Sequence, residues 1–319
     1  MNRIPEPDQT PLGPAYEGRL LDRPGDEVVD QGAGFDLRTM VGRRGLLGLV
    51  GLGAGATILA ACTPQSDAAV LATPSPTTTP TSTPTPSATA SAAAFATDEI
   101  PQETNGPYPA DGTNGVNVLE RSGMLRSDIR SSLDGGATAD GIPLTFTFTL
   151  SDLANGNTAY AGAAVYVWHC DAQGQYSMYS EAIVNETYLR GIQVADAQGR
   201  VTFTTVVPGC YSGRWTHIHF EVYPDAASAT TVTNQIATSQ VAFPRDMLDA
   251  VYRDSAYTGS AENLADLGSI DNDNVFSDGY ALEMASFAGD AANGYVGTLA
   301  VAVDATTASA VSSPGGPRS

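Results

Sequence analysis

The chain has 319 residues and a net charge of −20, yet it contains no lysine, and all fifteen basic residues are arginine. The absence of lysine excludes Schiff-base lysine chemistry and a P-loop whose phosphate-binding residue is lysine. There is also no run of basic residues. Because neutralisation of phosphates supplies most nucleic-acid affinity, this acidic chain is not expected to bind nucleic acid.

Cysteine is scarce as well, with three residues in the chain. Cys62 lies next to a possible export signal, which leaves Cys170 and Cys210 as an even pair. In an oxidising compartment such a pair predicts a disulfide. Closing a loop of about 40 residues would contribute about 4 kcal/mol in the chain-entropy model. The alternative is two unrelated buried thiols.

The N-terminal region contains the stretch "GRRGLLGLVGLGAGATILAAC". Paired Arg43 and Arg44, a glycine-diluted apolar run and small residues before Cys62 resemble a twin-arginine signal that ends in a lipobox. Cys62 would then carry the lipid. A transmembrane anchor is the alternative, although the run 45–61 is short for a membrane span. Either interpretation predicts a cell-surface or secreted, extracytoplasmic protein.

Composition divides the chain into four parts. Residues 1–61 are interpreted as a disordered polar leader followed by the signal, and residues 62–95 as a Pro/Thr/Ser-rich stalk that cannot bury apolar surface. Residues 306–319 are interpreted as a disordered tail. One folded domain is therefore expected over residues 96–305.

The folded part is expected to be all-β. Runs such as "IPLTFTFTLSD", "GAAVYVWHC" and "GRVTFTTVV" alternate apolar and polar residues and end at turn signals such as "DAQG". The pattern predicts a two-sheet antiparallel β-sandwich with decorating loops. One or two short helices are expected, at 116–129 and at "PRDMLDAVYR", where Pro244 can begin a helix.

Two of the three histidines lie in "HIHF". On a strand, His217 and His219 project from the same face and could bind one metal ion; the alternative is a pair of surface histidines. Tyr211 precedes them, and Tyr176 follows the strand "AAVYVWHC". Phenolate oxygen is a hard anionic donor that favours Fe(III), whereas zinc sites usually use Cys, His or carboxylate ligands.

Three stretches carry a family resemblance: "GAAVYVWHCDAQGQYS", "LRGIQVADAQGRVTFTTVVPGCYSGRWTHIHFEVY" and "SQVAFPRD". They resemble the intradiol ring-cleavage dioxygenases, the catechol and protocatechuate dioxygenase superfamily, and in particular its short, exported members. The likeness runs from Glu103 to about Tyr252. It implies a non-haem Fe(III) cofactor held by Tyr176, Tyr211, His217 and His219.

The resemblance also implies individual roles. Tyr176 would stay bound to iron, whereas Tyr211 would leave when substrate binds and accept its proton. Arg214 would stabilise the bound catecholate, with Gln240 as its hydrogen-bonding partner and Gln235 as the alternative. The sequence departs from many members at Trp215, where they have proline, and in the short loop between Tyr211 and His217.

Other residues receive less specific interpretations. Tyr108 is expected to lie behind the metal ligands, and His169 to be a hydrogen-bonded core or rim residue. Tyr166, Trp168 and Tyr179 are interpreted as core or pocket wall. The "DNDN" stretch at 271–274 lacks the glycine and distal glutamate of an EF-hand loop and is expected to be a solvated loop.

These inferences predict an extracytoplasmic enzyme that cleaves catechol-type diols with O2 to muconate-type diacids. Its partners would be the small-molecule substrate and O2, with membrane contact only through the signal or lipid anchor. One alternative is a non-catalytic cell-surface β-sandwich that binds a polymer. A zinc hydrolase is a second alternative, which the absence of a carboxylate motif beside the histidines disfavours.

Overall fold

A computed structural model describes residues 8–10, 13–16, 19–20 and 95–307 of the chain. The first three ranges are short strands that form an antiparallel sheet: β1 (Asp8–Thr10), β2 (Gly13–Tyr16) and β3 (Arg19–Leu20). Disorder was expected there, but neighbouring segments can pair through backbone hydrogen bonds alone. The predicted signal, with Arg43, Arg44 and Cys62, lies outside the described residues, as does the stalk up to residue 94.

Nine further strands and two α-helices make up the part from residue 95 to residue 307. In chain order they are β4 (Pro143–Asp152), β5 (Thr158–Ala159), β6 (Ala164–Trp168), β7 (Arg190–Val194), β8 (Arg200–Val206), β9 (His217–Tyr223), β10 (Ala237–Ala242), α1 (Arg245–Val251), α2 (Ser260–Leu267), β11 (Ser286–Asp290) and β12 (Gly294–Val303).

These strands form two sheets, which confirms the predicted sandwich. The four-stranded sheet has the order β10-β9-β6-β7, and every neighbouring pair is antiparallel. In the five-stranded sheet, β12 lies between β11 and β4, while β5 and β8 pair with the other edge of β4. The β12–β4 pair is parallel, unlike the antiparallel pairing expected. The long chain between these two strands permits this crossover.

The main core lies between the two sheets. Alternate residues of the first part of β4, including Phe146 and Phe148, are buried and face inward, while Thr147 between them is partly exposed. From the opposite sheet, Phe220 of β9 packs against Phe148 with ring centroids 5.0 Å apart. The alternation that predicted these strands therefore also determines which side chains form the core.

A second apolar cluster covers the outer face of the four-stranded sheet. Tyr166 and Trp168 of β6 pack there under two loop regions, which contribute Tyr108 and Tyr176 among others. As a result, β9 is buried on both faces along its whole length. The side chains on the outer face of β9 are thus enclosed between the sheet and its covering loops.

Helix is limited to short segments, as expected. The helix expected to begin at Pro244 is α1, for which Pro244 is the N-cap residue. The helix predicted over 116–129 is wrong: Gly123 has φ +88°, and the segment instead makes bridges from Leu125 to Ile192 and from Asp128 to Thr204. In the described ranges no helix has the length and apolarity needed to cross a membrane.

Candidate metal centre

The two histidines of β9 project together from its outer face, as predicted. Their Nε2 atoms are 3.1 Å apart, and both rings are buried. Nδ1 of His217 lies 2.5 Å from the Trp215 carbonyl oxygen. Because a carbonyl only accepts hydrogen bonds, Nδ1 carries the proton and Nε2 presents a lone pair toward the site.

His219 is held mainly by packing. Its ring lies parallel to the indole of Trp168, its partner across the sheet, with centroids 4.9 Å apart. Gly106 also lies beside the ring, and a Cβ there would come within 3.2 Å of His219 Cε1. Its buried Nδ1 has no hydrogen-bond partner among the described residues. The ring is therefore in close contact with an indole and with a glycine that leaves it room.

Both predicted tyrosines reach the same point. The Tyr176 and Tyr211 hydroxyls lie 3.4 Å and 3.2 Å from His217 Nε2. Tyr176 follows β6 on a turn in which its N–H donates to Ser180 Oγ. Gly174 in that turn has φ +78°, and a Cβ there would lie 3.0 Å from Tyr211 Cβ. Glycine thus allows the two tyrosine-bearing loops to approach each other closely.

This donor set fits a single metal ion. Donors bound at about 2.0–2.1 Å lie about 2.8–3.4 Å apart for right-angled to tetrahedral arrangements, a range that includes the spacings seen here. No group of three or more His, Cys, Asp or Glu side chains suited to a metal occurs in the described part of the chain. Two phenols with two imidazoles favour Fe(III) over zinc or calcium.

The pKa values of the histidine and tyrosine side chains at the site suit the binding of a metal ion. Burial, together with the Arg214 charge, lowers the pKa of His217 to about 3, so the imidazole is neutral, as a ligand must be. Burial raises the pKa of Tyr211 to about 12 and that of Tyr176 well above its ordinary value. Neither phenol would ionise near neutral pH without a cation, and a bound metal ion would supply that charge.

Arg214 lies beside this cluster. Its Nη2 donates to Gln240 Oε1 at 2.6 Å, and Gln240 Nε2 donates to the Thr104 carbonyl at 3.0 Å. Gln240 is opposite His219 in the sheet register. The alternative partner, Gln235, contacts Thr238. Of the two glutamines, Gln240 is therefore the one placed beside the arginine.

Asp273 was missed by the sequence analysis. The 271–274 stretch was expected to be solvated, but the Asp273 side chain is fully buried and accepts a hydrogen bond from Arg214 Nε at 2.9 Å. Burial alone would raise the pKa of Asp273, but the Arg214 charge and the Trp215 N–H hold it below the usual value. A general expectation, that a buried arginine needs a counter-charge, was the available signal.

Arg190 is a second residue that the sequence analysis missed. Its guanidinium is fully buried beneath the covering loops and donates to the carbonyl oxygens of Pro109 and Ser177 at 3.1 and 2.9 Å. Ser177 directly follows Tyr176. Arg190 therefore connects the loop that carries this tyrosine with the segment around Pro109.

The remaining aromatic residues pack around the donor side chains and line the pocket. Tyr108 stacks on Tyr176 with centroids 4.7 Å apart and contacts Tyr179 edge-on, so it lies behind a predicted ligand. Tyr166 stacks on Trp168 and donates to the Pro109 carbonyl. These positions agree with the interpretation of the aromatic residues as pocket wall.

His169 and the two cysteines lie away from the donor atoms. The ring of His169 is buried in the main core and hydrogen-bonded to Thr205 Oγ1, as expected. Cys170 and Cys210 are free thiols, so the predicted disulfide is not formed. Each sulfur faces a backbone carbonyl instead, that of Gly209 for Cys170 and that of Arg214 for Cys210. Burial raises the pKa of both thiols.

The fold and the donor set together define a class of protein: a β-sandwich in which two tyrosines and two histidines meet at one buried point and could hold one metal ion. Residues 121–258 match a protein-family model described as "Dioxygenase". All four donors, Arg214 and Gln240 lie inside that range, whereas Tyr108 and Asp273 lie outside it.

Known proteins of similar sequence or fold are named as dioxygenases. A chlorocatechol 1,2-dioxygenase from Pseudomonas sp. (strain P51) is 33% identical over 89 residues, which cover 22% of this chain and 35% of the relative. An intradiol ring-cleavage dioxygenase from Tetranychus urticae has a similar fold, with 24% identity, a TM-score of 0.50, and coverage of 67% of this chain and 98% of that one. The crystal structure of a further dioxygenase is 25% identical to this chain, with a TM-score of 0.51, and the match covers 67% of this chain and 98% of that one. Residues 121–258 are thus similar in sequence to dioxygenases, and the fold of the described domain is similar to that of an intradiol ring-cleavage dioxygenase.

Proposed function

We propose that the chain is a non-haem Fe(III) intradiol dioxygenase that cleaves catechol-type diols with O2 to muconate-type diacids. The observation that carries this proposal is the convergence of the Tyr176 and Tyr211 hydroxyls on the paired Nε2 atoms of His217 and His219. When bound there, Fe(III) would supply the Lewis acidity that favours a doubly deprotonated diol and activates its ring toward O2.

The two tyrosines differ in a way that supports separate roles. Tyr176 is 1% exposed and is stacked under Tyr108, so its position is fixed. Tyr211 is partly exposed and lies between Gly209 and the turn glycine Gly213. Tyr211 Oη is therefore the group placed to take up a proton from an entering diol.

Arg214 supports the choice of an anionic substrate. Burial lowers the pKa of Arg214, but the Asp273 carboxylate together with Tyr211 and Tyr176 raises it above its ordinary value, so the guanidinium keeps its charge. A fixed cation three residues before His217 would stabilise negative charge that develops on the substrate oxygens. Tyr108, Trp168 and Tyr179 provide an aromatic enclosure that limits the access of water.

The visible spectrum and iron content of the purified protein test this function. We expect a broad tyrosinate-to-Fe(III) band that shifts to longer wavelength when catechol is added. Tyr176→Phe and Tyr211→Phe should each weaken the band, whereas Tyr295→Phe, in the other sheet, should leave it unchanged. A product analysis should find both atoms of one O2 in a diacid opened between the two hydroxyl-bearing carbons.

A colourless protein that stays metal-free after reconstitution with iron would contradict the proposal. That result would favour a non-catalytic cell-surface module in which the two histidines have no ligand role. A colourless protein that binds zinc stoichiometrically and hydrolyses esters would favour the zinc hydrolase instead.

We also propose that the protein is exported and held at the cell surface. This proposal rests on the sequence "GRRGLLGLVGLGAGATILAAC", with its paired arginines and Cys62. Fractionation of cells that express the full chain should place it in the membrane fraction on the outer side. Cys62→Ala should release it into the soluble fraction, and Arg43→Gln with Arg44→Gln should retain it in the cytoplasm. Cytoplasmic wild-type protein would refute the proposal.

A further inference from the structure

The side-chain carboxylate of Asp273 accepts four hydrogen bonds. Oδ2 accepts from Arg214 Nε at 2.9 Å and from the Trp215 backbone N–H at 2.5 Å. Oδ1 accepts from the N–H groups of Val275 and Phe276 at 2.8 and 3.2 Å. Both oxygens of this fully buried carboxylate are therefore saturated with donors.

This arrangement fixes the orientation of the Arg214 guanidinium. Asp273 holds Nε on one side, and Gln240 holds Nη2 on the other. Nη1 makes no hydrogen bond to any described residue, and the Arg214 side chain is 13% exposed. Since a guanidinium is planar, fixing two of its nitrogens also determines the direction of the third.

We propose that Asp273 is a positioning residue for the reaction: it holds Arg214 so that Nη1 is free to donate to a catecholate oxygen. This inference rests on the proposed function. It adds a residue from outside the region that matches the family model, 59 positions from Arg214. Asp273 does not itself reach the substrate; it acts through the guanidinium and through the Trp215 N–H, which lies in the loop between Tyr211 and His217.

The substitution Asp273→Asn tests this role because asparagine has nearly the same shape. The asparagine amide has one oxygen and one NH2 group in place of the two carboxylate oxygens. The NH2 group must therefore face one of the two pairs of N–H donors that the carboxylate accepted from. Either the Arg214 and Trp215 donors or the Val275 and Phe276 donors would then lose their acceptor. A matched control is Asp271→Asn, two residues away on an exposed side chain, which removes the same charge.

The first measurement is the binding of 4-nitrocatechol to the iron-loaded full chain, followed by absorbance. Asp273→Asn should weaken binding by about tenfold to a hundredfold, because a charge-assisted hydrogen bond is lost or misdirected. The visible band without ligand should stay unchanged, since the four donors are intact. Asp271→Asn should bind as the wild type does.

A double-mutant cycle separates positioning from a purely structural role. In an Arg214→Met background, Asp273→Asn should cause no further loss of 4-nitrocatechol affinity. A loss that persists in that background would overturn the proposal, as would wild-type affinity in a folded Asp273→Asn protein. Failure of the proposed function would look different, because the wild type itself would then lack the visible band and its shift.

A third measurement needs no Asp273 variant and no iron. In the metal-free full-length protein, the Nε–Hε signal that disappears in Arg214→Met should be shifted downfield and protected from exchange with water. Rapid exchange of that proton, as in an exposed arginine, would refute the Asp273–Arg214 contact and with it the positioning role. This measurement decides the matter if Asp273→Asn does not fold.

Discussion

The position of His219 depends on the absence of a side chain at residue 106. Gly106 has φ +67°, a backbone conformation that costs an L-residue about 1 kcal/mol, and an added Cβ would lie 3.2 Å from His219 Cε1. His219 has no hydrogen bond at Nδ1 among the described residues that would hold its ring in place. We therefore expect Gly106→Ala to lower the free energy of unfolding by about 1–2 kcal/mol. The ring should also move away from Gly106, and iron should bind about tenfold more weakly.

Gly115→Ala is the matched control for this experiment. Gly115 has φ +89° in the same covering region, and a Cβ there would meet no atom within 4 Å. Gly115→Ala therefore has the conformational cost of an L-residue at positive φ, but its Cβ does not contact His219. Urea unfolding gives the stability of both variants, and a chelator competition followed at the visible band gives their iron affinity. Equal iron affinity in the two variants would refute the argument that packing positions His219.

Two further predictions concern the core. Phe220→Ala removes a fully buried ring that contacts Phe148 and should lower the free energy of unfolding by about 3–5 kcal/mol, whereas Val296→Ala, at a 54% exposed position, should change it by less than about 0.5 kcal/mol. Burial lowers the pKa of His169 to about 4, below its unfolded value of about 6.5, so stability should be lost as the pH falls from about 6.5 to 4. His169→Gln should lose less stability over that interval in urea titrations, and an unchanged pH slope would contradict the assignment of a buried neutral imidazole.

Local patterns in the sequence were sufficient to predict the sandwich and the histidine pair. The alternation in "LTFTFTL" predicts a strand with one buried face, and Leu144, Phe146 and Phe148 are buried as that pattern requires. Alternation also placed His217 and His219 on one face. Tyr176 and Tyr211 came from the family resemblance, since no spacing rule places two distant loops at the same point.

The features that were missed depend on contacts between distant parts of the chain. Asp273 lies in an acidic, Asn-rich stretch typical of solvated loops, and only the fold places it beside Arg214. The segment 116–129 contains apolar residues at helical spacing, but it pairs with the sheet at Ile192 instead. The absence of a disulfide follows from the direction of the two sulfur atoms, which their sequence positions do not determine.

Both faces of β9 are buried, and this links the candidate metal site to the stability of the fold. Its residues alternate between two enclosed faces: Ile218 and Phe220 pack in the main core, while His217 and His219 face the donor cluster. A shift of one residue in register would bury imidazoles in the core and place apolar side chains at the site, so both faces specify the same register. The donors are brought together only in the folded chain. Any metal they bind therefore stabilises the folded state by an amount that grows with the ratio of free metal to its dissociation constant.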